Sequence, residues 1–220
     1  MITVQPRDRL SKEQTALLSR SRRSSSGGST PSERPSISRL RFFGQMTLPR
    51  ELSLRNGRLC QNPVRELENY RGVRIDYHNV LIKGETSLHG ISGRALDMTI
   101  TLRPGNENSL YKWFRLYLAK DGEHFTFIRY KPETGTIKVD RTQSGFPHDI
   151  VNVREFPVHV NDGALKMRVI MDRYSLELFI NDGERAASFV LYTPLEGSAI
   201  SFASDGSVLI DIEKYELLFE

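Results

Sequence analysis

The sequence is poor in the residues that most enzymes use for redox, metal and nucleotide chemistry. Its one cysteine, Cys60, rules out a disulfide within the chain and a thiolate zinc site. The five histidines, His78, His89, His124, His148 and His159, lack the His-x-x-x-His spacing of a metalloprotease helix, so no metal is expected. There is no P-loop, no G-x-G-x-x-G after a strand, no Gly-x-Ser-x-Gly elbow and no neighbouring Cys–His pair. Nothing in the sequence implies a cofactor. No stretch approaches the roughly 18 apolar residues of a membrane span, and the N-terminus has no apolar signal segment. Acceptor Asn-x-Ser/Thr triplets are missing too. The reading is a soluble, cytoplasmic chain with no membrane partner.

Basic character is confined to one end. Residues 1–41 carry nine Lys/Arg against three Asp/Glu, which leaves 22 basic and 24 acidic side chains, a net of about −2, for residues 42–220. The segment from Ser19 to Pro35 has almost no large apolar residue and cannot offset its chain entropy by burial, so residues 1–41 are read as a disordered Ser/Arg-rich tail. A short helix at Lys12 to Ser19 would have little to dock on. Arg20, Arg22 and Arg23 could form an anion-seeking arm, but no aromatic residue interleaves them to stack on a base. No nucleic-acid partner is expected.

The rest reads as strands. Leu165, Met167, Val169 and Met171 alternate, then Leu176, Leu178 and Ile180, with Asp182-Gly183 at a turn. Period-two alternation puts each set on one face, and Asp-Gly suits the positive φ of a hairpin turn. On this reading Met171 to Ala187 is a self-contained hairpin, with Asp172, Arg173, Glu177 and Asp182 on its rims or its opposite face. Upstream, Leu52 to Leu54 and Leu59 to Gln61 flank Asn56-Gly57 as a type I′ hairpin, and Pro63 to Tyr70 is the one short helix, with Val64 and Leu67 on one side. Leu96, Met98, Ile100 and Leu102, then Phe114, Leu116 and Leu118, alternate strongly. Pro147 and Pro157 bracket an irregular crossing. Ala199 to Ala203 and Val208 to Phe219 form two last strands around Asp205-Gly206. Turns this close together leave no room for crossover helices, so the fold expected is all-β: an antiparallel two-sheet β-sandwich, a lectin-like jelly roll.

Paired carboxylates are the sharpest enzymatic idea, since a retaining glycosidase needs two about 5 Å apart. Yet Asp121, Asp162, Asp182 and Asp205 each precede a glycine, where the side chain caps backbone N–H groups. Asp140-Arg141 and Asp172-Arg173 read as local ion pairs of small energetic weight. Trp113, the sole tryptophan, alternates to the face opposite Phe114, Leu116 and Leu118; it is a carbohydrate-stacking candidate if exposed and ordinary packing if not.

Three motifs then carry a resemblance. The runs MTLPREL (Met46 to Leu52), NGRL (Asn56 to Leu59) and PVRELE (Pro63 to Glu68) resemble the stretch joining the catalytic and C-terminal domains of family 32 glycoside hydrolases, the β-fructofuranosidases. YKPETGTIKVDRTQSG (Tyr130 to Gly145) and MDRYSLELFINDGE (Met171 to Glu184) are similar to segments of that family's C-terminal sandwich. The resemblance implies a sandwich that packs beside a five-bladed β-propeller, and the propeller holds the catalysis. The propeller's nucleophile motif, Trp-Met-Asn-Asp-Pro-Asn, its Arg-Asp-Pro and its Glu-Cys do not occur here: Asn161-Asp162 and Asn181-Asp182 are followed by glycine, and Cys60 follows Leu59. No catalytic residue carries over, and 41 residues are too few for a propeller of about 40 per blade.

The resemblance therefore implies a detached, non-catalytic C-terminal sandwich, with residues 1–41 as tail, 42–71 as an interdomain-type linker and 72–220 as sandwich. Met46, Leu48, Pro49, Arg50, Glu51, Arg65 and Glu66 are its propeller-interface candidates. Three alternatives stay open: the chain completes a β-fructofuranosidase in trans with a separately encoded propeller, it binds β-fructosides as a free carbohydrate-binding module, or a homodimer covers the exposed docking surface.

Overall fold

The computed structural model describes residues 46–105, 111–145, 151–161 and 163–218. The tail, its short helix, Pro147, His148 and Asp162 lie outside the described residues. Among the described residues twelve strands follow one another: β1 (Arg50–Arg55), β2 (Arg58–Pro63), β3 (Arg71–Thr86), β4 (Leu96–Pro104), β5 (Trp113–Lys120), β6 (Thr126–Lys131), β7 (Thr136–Asp140), β8 (Val153–Pro157), β9 (Leu165–Asp172), β10 (Ser175–Ile180), β11 (Arg185–Val190) and β12 (Ala199–Leu217). A 3₁₀ helix, Arg65–Tyr70, separates β2 from β3. It is the short helix expected from Pro63 to Tyr70, begun two residues later because Val64 at its N-terminal boundary is extended; six residues that bury only Leu67 take the tighter 3₁₀ form.

The long strand β12 organises the sandwich. Its first part, from Ala199 to Asp205, pairs with β5, and its second, from Val208 to Glu216, pairs with β4. Strand β3 runs antiparallel to both parts, and the register breaks between Ser204 and Val208. Gly206 sits in that break with φ +104°, and Gly84, opposite Ser204 on β3, has φ +75°. Only glycine takes such angles without strain, so β3 and β12 bend at the same level and pass from one layer to the other. The sequence had suggested two strands around Asp205-Gly206; the structure has one strand with a corner.

The strands make one continuous ten-stranded antiparallel sheet, β11-β10-β9-β4-β12-β5-β6-β7-β8 with β3 also on β12. The corner folds it into two layers, a first sheet β3-β12-β4-β9-β10-β11 and a second sheet β3-β12-β5-β6-β7-β8. Strand β8 occupies the last five residues of the stretch between Pro147 and Pro157 that the prolines suggest is an irregular crossing. Its pairing with β7 supplies the partners that an isolated five-residue stretch would lack. The alternating residues fill one core: Leu96, Met98, Ile100 and Leu102 from one sheet meet Phe114, Leu116, Leu118, Ile128, Ile137 and Val139 from the other. Each fully buried side chain of this kind is worth about 1.5–3 kcal/mol over its exposed state.

The outer face of the first sheet is not all solvent. Ile170 and Phe179 there join Leu67 and Leu217 in a second, smaller core, with Leu48 packed against it. This is why β9 and β10 are buried on both faces, and why Glu177, expected on a rim, is buried. Nor do the two Asp-Arg pairs close locally. Asp140 meets Lys138 at 2.8 Å, while Arg141 turns inward and donates to the carbonyls of Val190 and Val151. The Arg173 carbonyl accepts from Arg94.

Candidate docking interface

Strands β1 and β2 form a two-stranded sheet of their own, joined through Asn56 (φ +49°) and Gly57 (φ +74°), the paired positive angles of a type I′ turn. The side of this hairpin bearing Arg55, Cys60 and Asn62 is turned to the body of the sandwich. Arg55 donates to the carbonyls of Asn181 and Asp182, Asn62 to that of Asp182, and the Gln61 backbone N–H to that of Gly183 at 2.9 Å. The hairpin thus grips the β10–β11 turn, where Asn181, Asp182 and Gly183 have successive positive φ angles. A Cβ on Gly183 would lie 2.4 Å from the Gln61 carbonyl oxygen, so glycine here is a condition of the contact.

A second anchor is ionic. The Arg50 guanidinium donates to Glu177 Oε2 at 2.6 Å, to Ser188 Oγ at 2.6 Å and to Gln61 Oε1 at 3.0 Å. It also lies 5.3 Å from the Phe179 ring centre. The Glu177 side chain is only 3% exposed. Its other oxygen accepts the Leu48 backbone N–H at 3.3 Å, and removing one partner of such a pair costs about 3–5 kcal/mol. Beside it Asp97, equally buried, is forked by Arg71 and by Arg168 at 2.7–2.9 Å, and Arg71 packs over the Tyr215 ring. Asp97 is therefore saturated by guanidinium donors, whereas Glu177 accepts from Arg50, the Ser188 hydroxyl and the Leu48 N–H.

The apolar side of the hairpin faces outward, inverting the usual arrangement. Leu52, Leu54 and Leu59 are 65%, 75% and 58% exposed, and Leu54 pairs directly with Leu59. Next to them an open groove of about 850 Å³ runs between Leu48, Pro49, Pro63, Val64, Tyr70 and Leu218.

The seven sequence candidates fall around this surface with different parts. Met46 projects freely. Leu48 packs on the smaller core, and the Pro49 carbonyl accepts the Val64 N–H. Arg50 is an anchor pointing into the body. Glu51 and Arg65 form an exposed pair at 3.6 Å, and Glu66 lines the groove. Trp113 is remote from them, at the start of β5, with the Arg115 guanidinium 4.5 Å over its ring. The leucines and the 181–183 turn were not among the candidates. A sign was present in the polar Glu51, Ser53 and Arg55 alternating with Leu52 and Leu54, but alternation does not say which face meets water.

Among the described residues no group of three or more His, Cys, Asp or Glu is arranged to hold a metal ion, and no helix is long and apolar enough to cross a membrane.

Comparison with known proteins follows the same lines. Residues 66–217 match the family described as glycosyl hydrolases family 32 C terminal. The sucrose-6-phosphate hydrolase of Staphylococcus xylosus is 26% identical over 176 residues, spanning 78% of this chain and 34% of the relative. The levanase of Bacillus subtilis is 28% identical, spanning 74% and 26%. The chain thus spans a third or less of the length of these relatives. Among solved structures, the exo-inulinase of Aspergillus awamori superposes with a TM-score of 0.66 at 19% identity, over 78% of this chain and 35% of that one, a likeness of fold. With the family matched over most of its length and the sandwich in common, this chain belongs to the C-terminal domain family of the family 32 glycosyl hydrolases.

Proposed function

We propose that the chain is a non-catalytic docking module: a C-terminal sandwich that binds a catalytic β-propeller and does not itself cleave a fructosidic bond. The observation that carries this reading is the inverted hairpin. A two-stranded sheet that is fixed to the sandwich by Arg50, Arg55, Gln61 and Asn62, and whose three leucines face solvent, is built to be covered. A monomer gains nothing by exposing those leucines, whereas a propeller edge would bury them. The chemistry argues the same way. Glycoside hydrolysis needs one carboxyl free to protonate and one free to attack or to activate water. Asp97 and Glu177 are each held by arginine, and the propeller motifs are not in the sequence.

On this reading the activity served is hydrolysis of β-fructosidic bonds in sucrose, sucrose 6-phosphate or fructans, as the family resemblance implies, with the propeller supplied on the same polypeptide or on another. The test mixes the purified chain with a family 32 propeller made without its own sandwich. A one-to-one complex is expected, and it should disappear when Leu52, Leu54 and Leu59 are all changed to Ser. The chain alone should release no fructose from sucrose or inulin. Failure of the wild-type chain to bind any such propeller would sink the docking role, and fructose release by the repurified chain would sink the non-catalytic one.

A further inference from the structure

The outer face of the second sheet carries an arrangement that the docking hairpin does not explain. Because Phe114, Leu116, Ile128, Tyr130, Ile137 and Val139 point into the core, the residues between them point out. In the observed register Arg115 lies opposite Arg129, and Arg129 opposite Lys138. Three cations therefore stand side by side on adjacent strands about 4.8 Å apart, and like charges directly opposed across a sheet are destabilising. Among the described residues only Lys138 of the three has an ion-pair partner, Asp140 at 2.8 Å, and Glu155 of β8 lies opposite it at the end of the row. At the rims Lys120 is matched by Glu85 and Lys112 by Asp205. Arg115, Arg129 and Lys131 have no ion-pair partner among the described residues, and Arg115 Nε and Arg129 Nε are buried without a hydrogen bond.

These cations lie on an aromatic bed. Tyr117 stands edge-on to Phe125 at 5.4 Å and 6.0 Å from Phe127. Arg115 covers Trp113 at 4.5 Å and Phe127 at 5.0 Å, and Lys138 also approaches Phe127. Arg115 thus covers one face of Trp113, which disfavours stacking of a sugar ring there; Arg115 also donates to the Tyr117 hydroxyl at 3.2 Å, while Arg129 Nε has no hydrogen-bond partner among the described residues. Arginine set among Trp, Tyr and Phe is the composition of protein-interface centres. Self-association through this face would press the cationic row against its own copy, so the occupant must carry the opposite charge. The outer faces of a sandwich point away from each other, so a partner here leaves the hairpin accessible.

We propose that the outer face of the second sheet is a separate docking surface for a protein patch of clustered carboxylates, with Arg115 and Arg129 as its central contacts. Trp113 is the only tryptophan, so its emission reports this face, and residues 1–41 have no tryptophan of their own to add to that signal. Titrating the full chain with poly-L-glutamate should give a saturable change in Trp113 emission that fades toward about 1 M salt, where the Debye length is about 3 Å. Polygalacturonate at equal carboxylate concentration should bind more weakly. The variant Arg129→Glu/Lys131→Glu leaves Arg115 over Trp113 and should lose affinity at least about tenfold, counter-charge being the dominant attraction.

The same row makes a second prediction that needs no ligand. Arg129→Glu places an anion between Arg115 and Lys138 and should raise the melting temperature by roughly 2–4 °C, two repulsive cross-strand pairs becoming attractive. The leucine-to-serine hairpin variant should bind poly-L-glutamate like the wild type, so the two interfaces fail independently. Equal binding by the charge-reversed variant, preference for polygalacturonate, an unresponsive Trp113, or a fall in melting temperature on Arg129→Glu would each overturn the proposal.

Discussion

Buried carboxylates such as Asp97 and Glu177 are held from other strands, but Asp140 is held by its own sequence neighbours. Asp140 shows the consequence for pH. Burial pushes its carboxyl up, but hydrogen bonds from Lys138 and from Thr142 outweigh that and leave it below its usual value. A carboxylate whose folded value is depressed contributes its stability above the unfolded value of about 3.9, and the contribution is lost as pH falls through the folded value. Urea titrations between neutral pH and pH 2 should therefore show an acid limb that is shallower in Asp140→Asn, with the variant also less stable at neutral pH. An unchanged limb would mean that Lys138 contributes nothing to Asp140. Glu85 is depressed by the same kind of contact, with Lys120 and Ser201, so the acid limb is flattened by the substitution and not abolished.

The β1–β2 hairpin is the element whose placement rests on the fewest residues. Gly183→Ala puts a methyl group 2.4 Å from the Gln61 carbonyl oxygen at φ +90°, a clash of backbone with backbone that no rotamer relieves. Strain at such a position is of order 1–3 kcal/mol, and lifting the hairpin is the available escape. Cys60, fully buried beneath it, should then react with a thiol reagent much faster than in the wild type, while the sandwich retains its circular dichroism. A labelling rate that does not change would show that the hairpin tolerates the methyl group in place. The same element shows what the sequence could convey. Asn56-Gly57 and the apolar alternation fix its turn and its strands, because those are local consequences of φ and of the pleat. The inward direction of its polar side was not legible, being decided by carbonyls at 181–183, some 120 residues away in sequence. The corner of β12 was hidden for a related reason: Asp-Gly has the same local chemistry in a hairpin turn and in a bulge, and only pairing of both halves with β3 tells them apart.

At the scale of the whole molecule, stability is distributed very unevenly. Strands β4, β9 and β12 lie at the centre of the first sheet, hydrogen-bonded on both sides and sealed by the main core. The β1–β2 sheet has two strands, three exposed leucines and a grip made of a few hydrogen bonds and one buried ion pair. A two-stranded sheet is marginal without further cover. Amide hydrogen exchange should accordingly proceed through two units. The β1–β2 amides should open at a free energy well below that of global unfolding, while those of β4, β9 and β12 exchange only with the whole sandwich. Covering the leucines with a propeller should slow both sets by the same free-energy increment, because opening the hairpin and unfolding the whole sandwich each release the propeller. If β1–β2 amides in the free chain were already as protected as those of β4, the hairpin would be complete without a partner, and its outward leucines would need another explanation.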